Sequence, residues 1–254
     1  MEIKNQNIMK GAGPFHFEGN DIGILMIHGG GGGTCVDLKP LGEDLHKKGG
    51  YTISIPLLPG FGTSPEELKN INIEDWKSAL YEELAILKQK CNKIIVGGHS
   101  MGAILTLILA ANNEFDGIFT ISALVGVKSF LFKLVPLFKI FVKYHHVTAE
   151  KFIKETDGKW IGYDRIPVNI GIKIKILLNE MKKLLPQVSC PSLLFQGRLD
   201  SDIKKNSMDY IFRTISAQKK KKIWLEHNEH PILESPDHSQ IVSELFNFIQ
   251  EICP

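Results

Sequence analysis

Val96-Gly97-Gly98-His99-Ser100-Met101-Gly102 joins two apolar stretches of different length. Residues 93–96 read as a short buried strand, and residues 101–111 as a buried helix. The turn between them, 98–102, fits G-x-S-x-G in the strand–turn–helix context that this pattern requires. A tight turn of this kind forces the serine into a strained backbone conformation, and glycines at 98 and 102 leave room where side chains would collide. The Ser100 hydroxyl then stands above the carboxyl ends of the strands. The N–H of Met101 lies at a helix N-terminus, where partial positive charge favours an oxyanion. The bland alternative is a glycine-flanked turn serine, and the strand–turn–helix context argues against it.

Outward from this turn the chain alternates strand and helix. Ile22–Ile27 is a continuous apolar run ending at His28 and five glycines, 29–33. Runs of this type, closed by glycine, read as strands buried on both faces. A helix is expected over 36–48, with its C-cap at Gly49-Gly50. A strand follows over 51–55, then the loop PLLPGFGTSP. Ile73, Trp76, Leu80, Leu84 and Leu87 place a helix over 73–90. Gly117–Ile121 is the next strand. After residue 124 the alternation stops, and it resumes with strands at 192–196 and 221–226 and helices at 204–214 and 239–251. Such alternation implies a mostly parallel central sheet with helices on both faces.

The 254 residues suit one α/β domain with a modest insertion. An apolar content of 43% against 23% charged excludes bulk disorder. A net charge of +2 gives no reason to expect a nucleic-acid binder. Cysteines at 35, 91, 190 and 253 have no CxxC spacing, so neither a zinc knuckle nor a dithiol motif is available, and they are expected to stay reduced. The N-terminus shows no apolar signal region, and the longest apolar stretch is too short to span a bilayer, so a cytoplasmic protein is expected. Residues 125–187 hold twelve basic side chains against five acidic ones, a net +7, and the remainder carries −5. This shift marks an insertion.

A serine hydroxyl is a weak nucleophile and needs a general base and an orienting acid. The expected chain order is serine, acid, histidine. His230 lies in the loop 227–230, just past strand 221–226, and is the preferred base; His227 competes. His238 fits the start of the last helix, where Asp237 and Gln240 resemble a capping box. His145 and His146 lie in the insertion. The acid should end the preceding strand, and QGRLD, 196–200, offers Asp200, with Asp202 as competitor. Ser122-Ala123-Leu124, after the strand Gly117–Ile121, offers no carboxylate. A second oxyanion N–H is expected from the loop after Ile22–Ile27, at Gly30. His28 more often orders such a loop than does chemistry. Dinucleotide binding is the runner-up for the glycine run, but G-x-G-x-x-G is satisfied trivially in a glycine tract, and no Lys-Ser or Lys-Thr follows for a Walker A site.

MIHGGGGGT, PLLPGFGTSPEEL, EDW, VGGHSMG, QGRLD and IWLEHNEHPILESPD together resemble the α/β-hydrolases, more narrowly the small capped bacterial carboxylesterases and monoacylglycerol lipases. The resemblance covers nearly the whole chain and is weakest over 125–165. It implies an α/β-hydrolase core, 1–124 and 188–254, with a cap at 125–187. It implies Ser100 as nucleophile, Asp200 as acid, His230 as base, and Gly30 and Met101 as oxyanion donors. The expected activity is hydrolysis of short- to medium-chain acyl esters or monoacylglycerol-like lipids without metal or cofactor, by a monomer or homodimer. A thioesterase or amidase would use the same triad. A non-catalytic ligand-binding member of the fold would have no use for the base and acid. Two departures stand out. Gly30 replaces a bulky apolar residue, which would open the acyl pocket or loosen the hole, and Glu229 precedes the base where a small residue is usual.

Within the insertion, Phe130, Leu134, Leu137, Phe138 and Phe141 fall at helical steps, unless Pro136 breaks the helix. Two readings follow. In one, the cap closes an apolar face on the core and its lysines are solvated. In the other, this face lines the acyl site and the basic surface meets anionic membrane.

Overall fold

A computed structural model of the chain describes residues 8–127, 143–147 and 149–254. Seven strands form one sheet: β1 Phe15–Phe17, β2 Ile22–Ile27, β3 Thr52–Ile55, β4 Lys93–His99, β5 Gly117–Ile121, β8 Ser192–Gly197 and β9 Lys220–Leu225. A separate antiparallel pair is made by β6 Tyr144–His146 and β7 Arg165–Pro167. The large sheet runs β1-β3-β2-β4-β5-β8-β9. All its pairings are parallel except β1 with β3, where Phe15 faces Ile55 and Phe17 faces Ile53.

The inner strands are apolar on both faces because both faces are covered. Along β2, Leu25 and Ile27 join the core beneath α3 (Ile73–Lys90) and α4 (Met101–Asn112). Ile24 and Met26 join the opposite core, beneath α1 (Lys39–Gly49) and the C-terminal helix α8 (His238–Ile252). On α3 the residues Trp76, Leu80, Leu84 and Leu87 are buried, each contributing roughly 1.5–3 kcal/mol of transfer free energy. The capping box at its start comes from Asn72 and Asp75. α4 is buried almost all round, which is why it lacks any polar stripe.

The sequence places β2, β3, β4, β5, β8 and β9 within a few residues and does not place β1, and the helices around the sheet show three differences. The helix expected over 36–48 is split into a 3₁₀ turn, Cys35–Asp37, and α1, because Pro40 suits only a first helical turn. Gly50 does close α1 in the left-handed conformation, at φ 65, its N–H on the His46 carbonyl at 2.7 Å. The Pro/Gly loop gives way to a short helix, α2 Pro65–Asn70, started by Pro65 and by Ser64, which accepts the Glu67 N–H at 3.2 Å. The helix expected from 204 begins at Ser207 (α7 Ser207–Thr214). Between β5 and β8 the described residues hold β6, β7, α5 (Ala149–Glu155) and α6 (Asn169–Leu184). Ile170, Leu177, Leu178 and Met181 of α6 are buried, and the helix packs against α4. None of the described helices is long and apolar enough to cross a membrane.

The tightest fit in the fold lies where α4 begins. A Cβ on Gly102 would sit 1.9 Å from the Ile27 carbonyl oxygen, and one on Gly98 would sit 2.4 Å from the Gly102 carbonyl carbon. Helix and strands approach backbone to backbone here, with nothing flexible to give way. Gly102→Ala is expected to destabilise the protein by at least about 3 kcal/mol, the upper range of overpacking penalties, read as a lowered urea midpoint. An unchanged midpoint would contradict the close approach.

Candidate active site

Loops at the carboxyl ends of β4, β8 and β9 bring Ser100, Asp200 and His230 together. Ser100 caps the N-terminus of α4 at φ 54, ψ −115, a conformation that costs a non-glycine residue on the order of 1–3 kcal/mol. Its N–H donates to the Ile121 carbonyl at 3.0 Å, and its carbonyl accepts from Ala103 and Ile104 at 3.1 and 3.2 Å. The Ser100 hydroxyl donates to His230 Nε2 at 2.9 Å, and His230 Nδ1–H donates to Asp200 Oδ2 at 2.8 Å. Asp200 Oδ1 accepts the N–H groups of Asp202 and Ile203 at 3.0 and 3.3 Å. Burial alone would push the Asp200 carboxyl up. The hydrogen bond and charge of His230, with the two N–H donors, outweigh it and hold the group below the usual carboxylate range.

The competitors are engaged elsewhere. His227 Nδ1 pairs with Asp237 Oδ1 at 3.0 Å, and its N–H takes Oδ2 at 2.8 Å. Both Asp237 oxygens are thereby occupied and make no side-chain cap for α8, so the expected capping box does not form. His238 reaches Asp44 at 2.9 Å. His145 and His146 are exposed on β6. Asp202 is exposed and serves the site only through its backbone.

Gly30 lies against Met101. A Cβ at Gly30 would sit 2.6 Å from Met101 Sδ, so the Met101 side chain fills the space that a larger residue at 30 would take. The small residue therefore leaves no opening on that side. The N–H of Met101, in the first turn of α4, has no partner within the helix. The apolar face expected to meet substrate, Phe130, Leu134, Leu137, Phe138 and Phe141, lies outside the described residues.

Two buried histidines frame the site. His28 accepts the Leu58 N–H at Nε2, 3.1 Å, and donates from Nδ1 to the Gly29 carbonyl, 2.8 Å, fixing the loop after β2 against the loop after β3. Burial lowers its pKa to about 4. His99 donates from Nε2 to the backbone carbonyl of His230 at 2.8 Å, with the two rings 5.2 Å apart. Burial, and then the neighbouring His230, lower the His99 pKa to about 3, and its Nδ1 has no hydrogen-bond partner among the described residues. Sequence reasoning passed over His99 as the variable position of G-x-S-x-G.

The glycine tract also receives the inserted segment. Gly33 bridges Gly162 in antiparallel fashion, the Tyr163 N–H donates to the Gly32 carbonyl at 2.9 Å, and Thr34 Oγ1 donates to the Ile161 carbonyl at 3.0 Å. The Tyr163 hydroxyl donates to the Gly60 carbonyl and accepts the Thr63 N–H, both at 2.7 Å. No local pattern in residues 160–163 announces this docking.

A parallel sheet of this order, with a strained serine on the turn after β4 and an acid and a histidine on later loops, defines an α/β hydrolase. Residues 19–237 match the Hydrolase_4 family model, described as serine aminopeptidase S33, and the chain belongs to that family. It is 29% identical to the thermostable monoacylglycerol lipase of Bacillus sp. strain H-257, over 95% of either chain. It is 25% identical to a carboxylesterase of Bacillus subtilis strain 168, over 94% of this chain and 96% of that one. Among solved structures it matches a chain from the study of LipS and LipT, two metagenome-derived lipolytic enzymes. That match has a TM-score of 0.88 and 26% identity, and covers 96% of this chain and 99% of the other. The protein is an enzyme, a hydrolase of the esterase and lipase kind.

Because His99 stays neutral in the fold while an unfolded histidine titrates near ~6.5, the unfolded chain takes up the proton first as pH falls. Stability tied to His99 is therefore present above about pH 6.5 and is lost below it, towards its folded value of about 3. The stability advantage of wild type over His99→Gln, measured by urea unfolding, is expected to shrink by about 2 kcal/mol between about pH 7.5 and pH 5. A difference that does not change with pH would mean that His99 is not held neutral.

Proposed function

We propose that the protein hydrolyses carboxylic esters of short- to medium-chain acids, monoacylglycerol-like lipids among them, through an acyl-serine at Ser100. In this reading residues 1–124 and 188–254 are the catalytic core and 125–187 the cap that closes over it. The observation that carries it is the unbroken hydrogen-bond chain from Ser100 Oγ through His230 to Asp200, at 2.9 and 2.8 Å.

His230 Nε2 takes the Ser100 proton as Oγ bonds to the ester carbonyl carbon. Asp200, already below its usual pKa, stabilises the imidazolium and fixes its tautomer. The N–H groups of Gly30 and Met101 hold the tetrahedral oxyanion. The imidazolium then gives its proton to the leaving alcohol as the carbon–oxygen bond breaks. Water repeats the sequence on the acyl-serine, with His230 as base, and the acid leaves. The relative named as a monoacylglycerol lipase supports a lipid ester as substrate. The family description as an aminopeptidase favours testing amides beside it. The basic cap is proposed as a contact for anionic membrane.

Purified protein is expected to turn over p-nitrophenyl esters, faster from acetyl towards medium chains, and p-nitroanilides far more slowly. Ser100→Ala should keep the wild-type melting temperature and lose at least about a thousandfold in kcat, as removal of a nucleophile does. A tenth of wild-type activity in that variant would exclude the acyl-serine. Asp200→Asn is expected to lower kcat by roughly 10⁴-fold, because the imidazole loses its tautomer. Asp202→Asn, whose side chain is exposed and whose backbone N–H is retained, should change it less than about threefold. Equal losses in the two variants would reassign the acid.

A further inference from the structure

The loop between β9 and α8 carries His230 and lies outside helix and sheet, so its buried carbonyls must find donors elsewhere. Three consecutive carbonyls there are bound by side chains. Those of Glu229 and Pro231 accept from Asn228 Nδ2 at 2.6 and 3.3 Å, and the His230 carbonyl between them accepts from His99 at 2.8 Å. Asn228 is fully buried. Its Oδ1 accepts from the Ser235 hydroxyl, which itself accepts the Asp237 N–H at 3.2 Å. Its backbone carbonyl accepts the N–H of Leu199, the residue before Asp200, at 3.2 Å. One side chain and its backbone therefore tie the base loop to itself and to the acid loop.

The chemistry of this bracket calls for a carboxamide. Two donors on one nitrogen meet two carbonyls, and the oxygen meets a hydroxyl. A flipped amide, or a carboxylate, would set oxygen against both carbonyls. Pro231 has no N–H, so the peptide unit joining it to His230 offers a carbonyl as its one hydrogen-bonding group. The hydrogen bonds of Asn228 end on loop backbone and on Ser235, not on a reacting group. Yet His230 must hold Nε2 at 2.9 Å from Ser100 and Nδ1 at 2.8 Å from Asp200 together, on a loop with no ladder of its own. A displacement of about 1 Å at such a site can cost on the order of a hundredfold in rate. Resting on the ester-hydrolase reading above, we propose that Asn228 is a positioning residue for the base: its buried carboxamide holds the carbonyls on either side of His230 and so sets the reach of the imidazole between Ser100 and Asp200.

The test separates placement of the base from stability of the loop. Asn228→Asp keeps the volume and the acceptor for Ser235 but loses both donors, and Asn228→Ala removes the whole group. Rates are measured at a temperature where unfolding curves show each variant to be folded. With p-nitrophenyl butyrate, both variants are expected to lose about tenfold to a hundredfold in kcat while KM changes less than about twofold, because a displaced base slows proton transfer without touching substrate binding. Reaction of Ser100 with a fluorophosphonate, which needs the same base but no ester, should slow by a similar factor. Ser235→Ala, which keeps the amide but releases its oxygen, should lose kcat to a smaller extent, again at constant KM. If kcat and labelling in the folded Asn228→Asp enzyme stay within about threefold of wild type, whatever its melting temperature, Asn228 is structural and the proposal falls. A raised KM with unchanged kcat would overturn it as well. Should neither Asn228 variant fold, Ser235→Ala decides: a lower kcat at constant KM supports the proposal, and an unchanged kcat sinks it. A wild type that labels but hydrolyses no ester would overturn the ester reading alone, and the labelling rates would then decide for or against Asn228. A wild type that does not label would overturn the acyl-serine reading and the role of Asn228 with it.

Discussion

The close approach of α4 to the end of β2 is the constraint on which the site depends. Gly102 rests on the carbonyl of Ile27 with no room for a methyl group. That contact fixes how steeply the chain must turn after β4, and the turn leaves Ser100 at positive φ. The strain is offset by burial: α4 is apolar all round and enclosed by β2, β4, β5 and α6. A helix so anchored cannot rotate to relieve its first residue. The same anchoring aims the free N–H groups of the first turn of α4 at the position beside the Ser100 hydroxyl.

A second coupling runs through the glycine tract. Its backbone meets the inserted segment at Gly32, Gly33 and Thr34, and its first residues lie against His99, Ser100 and Met101. One loop is thus shared between the residues beside Ser100 and the inserted segment. Tyr163 extends the tie to the loop after β3, which His28 clamps from the other side. Displacement of residues 160–163 would be felt at Gly30 within a few bonds, so the two parts of the molecule are mechanically linked through hydrogen bonds rather than through apolar packing alone.

The inner strands β2, β4 and β8 were legible in the sequence because they are covered on both faces, which writes them as apolar runs ended by or closed on glycine. The positions of Ser100, Asp200 and His230 were legible because the strand–turn–helix context and the chain order left few candidates. Other features had no such local signature. β1 is a three-residue edge strand, too short for alternation to show. α2 follows the Pro/Gly loop 56–65, in residues to which no element was assigned, although Ser64-Pro65 followed by Glu67 is a helix start. Trp160 comes beside Gly33 because Gly33 pairs with Gly162, a contact between two backbones that no side-chain pattern records.

Buried polar groups without full partners gather around the serine, and they carry different weight. Ser122, at φ 52 after β5, has a fully buried hydroxyl with no partner among the described residues. Its N–H is bound to the Phe195 carbonyl at 2.9 Å, so the backbone conformation there is held by the sheet whatever the side chain does. No carboxylate stands at this turn after β5. The His99 lone pair is enclosed, and nothing can approach it without opening the core. An enclosed unsatisfied atom is a fixed cost of the fold.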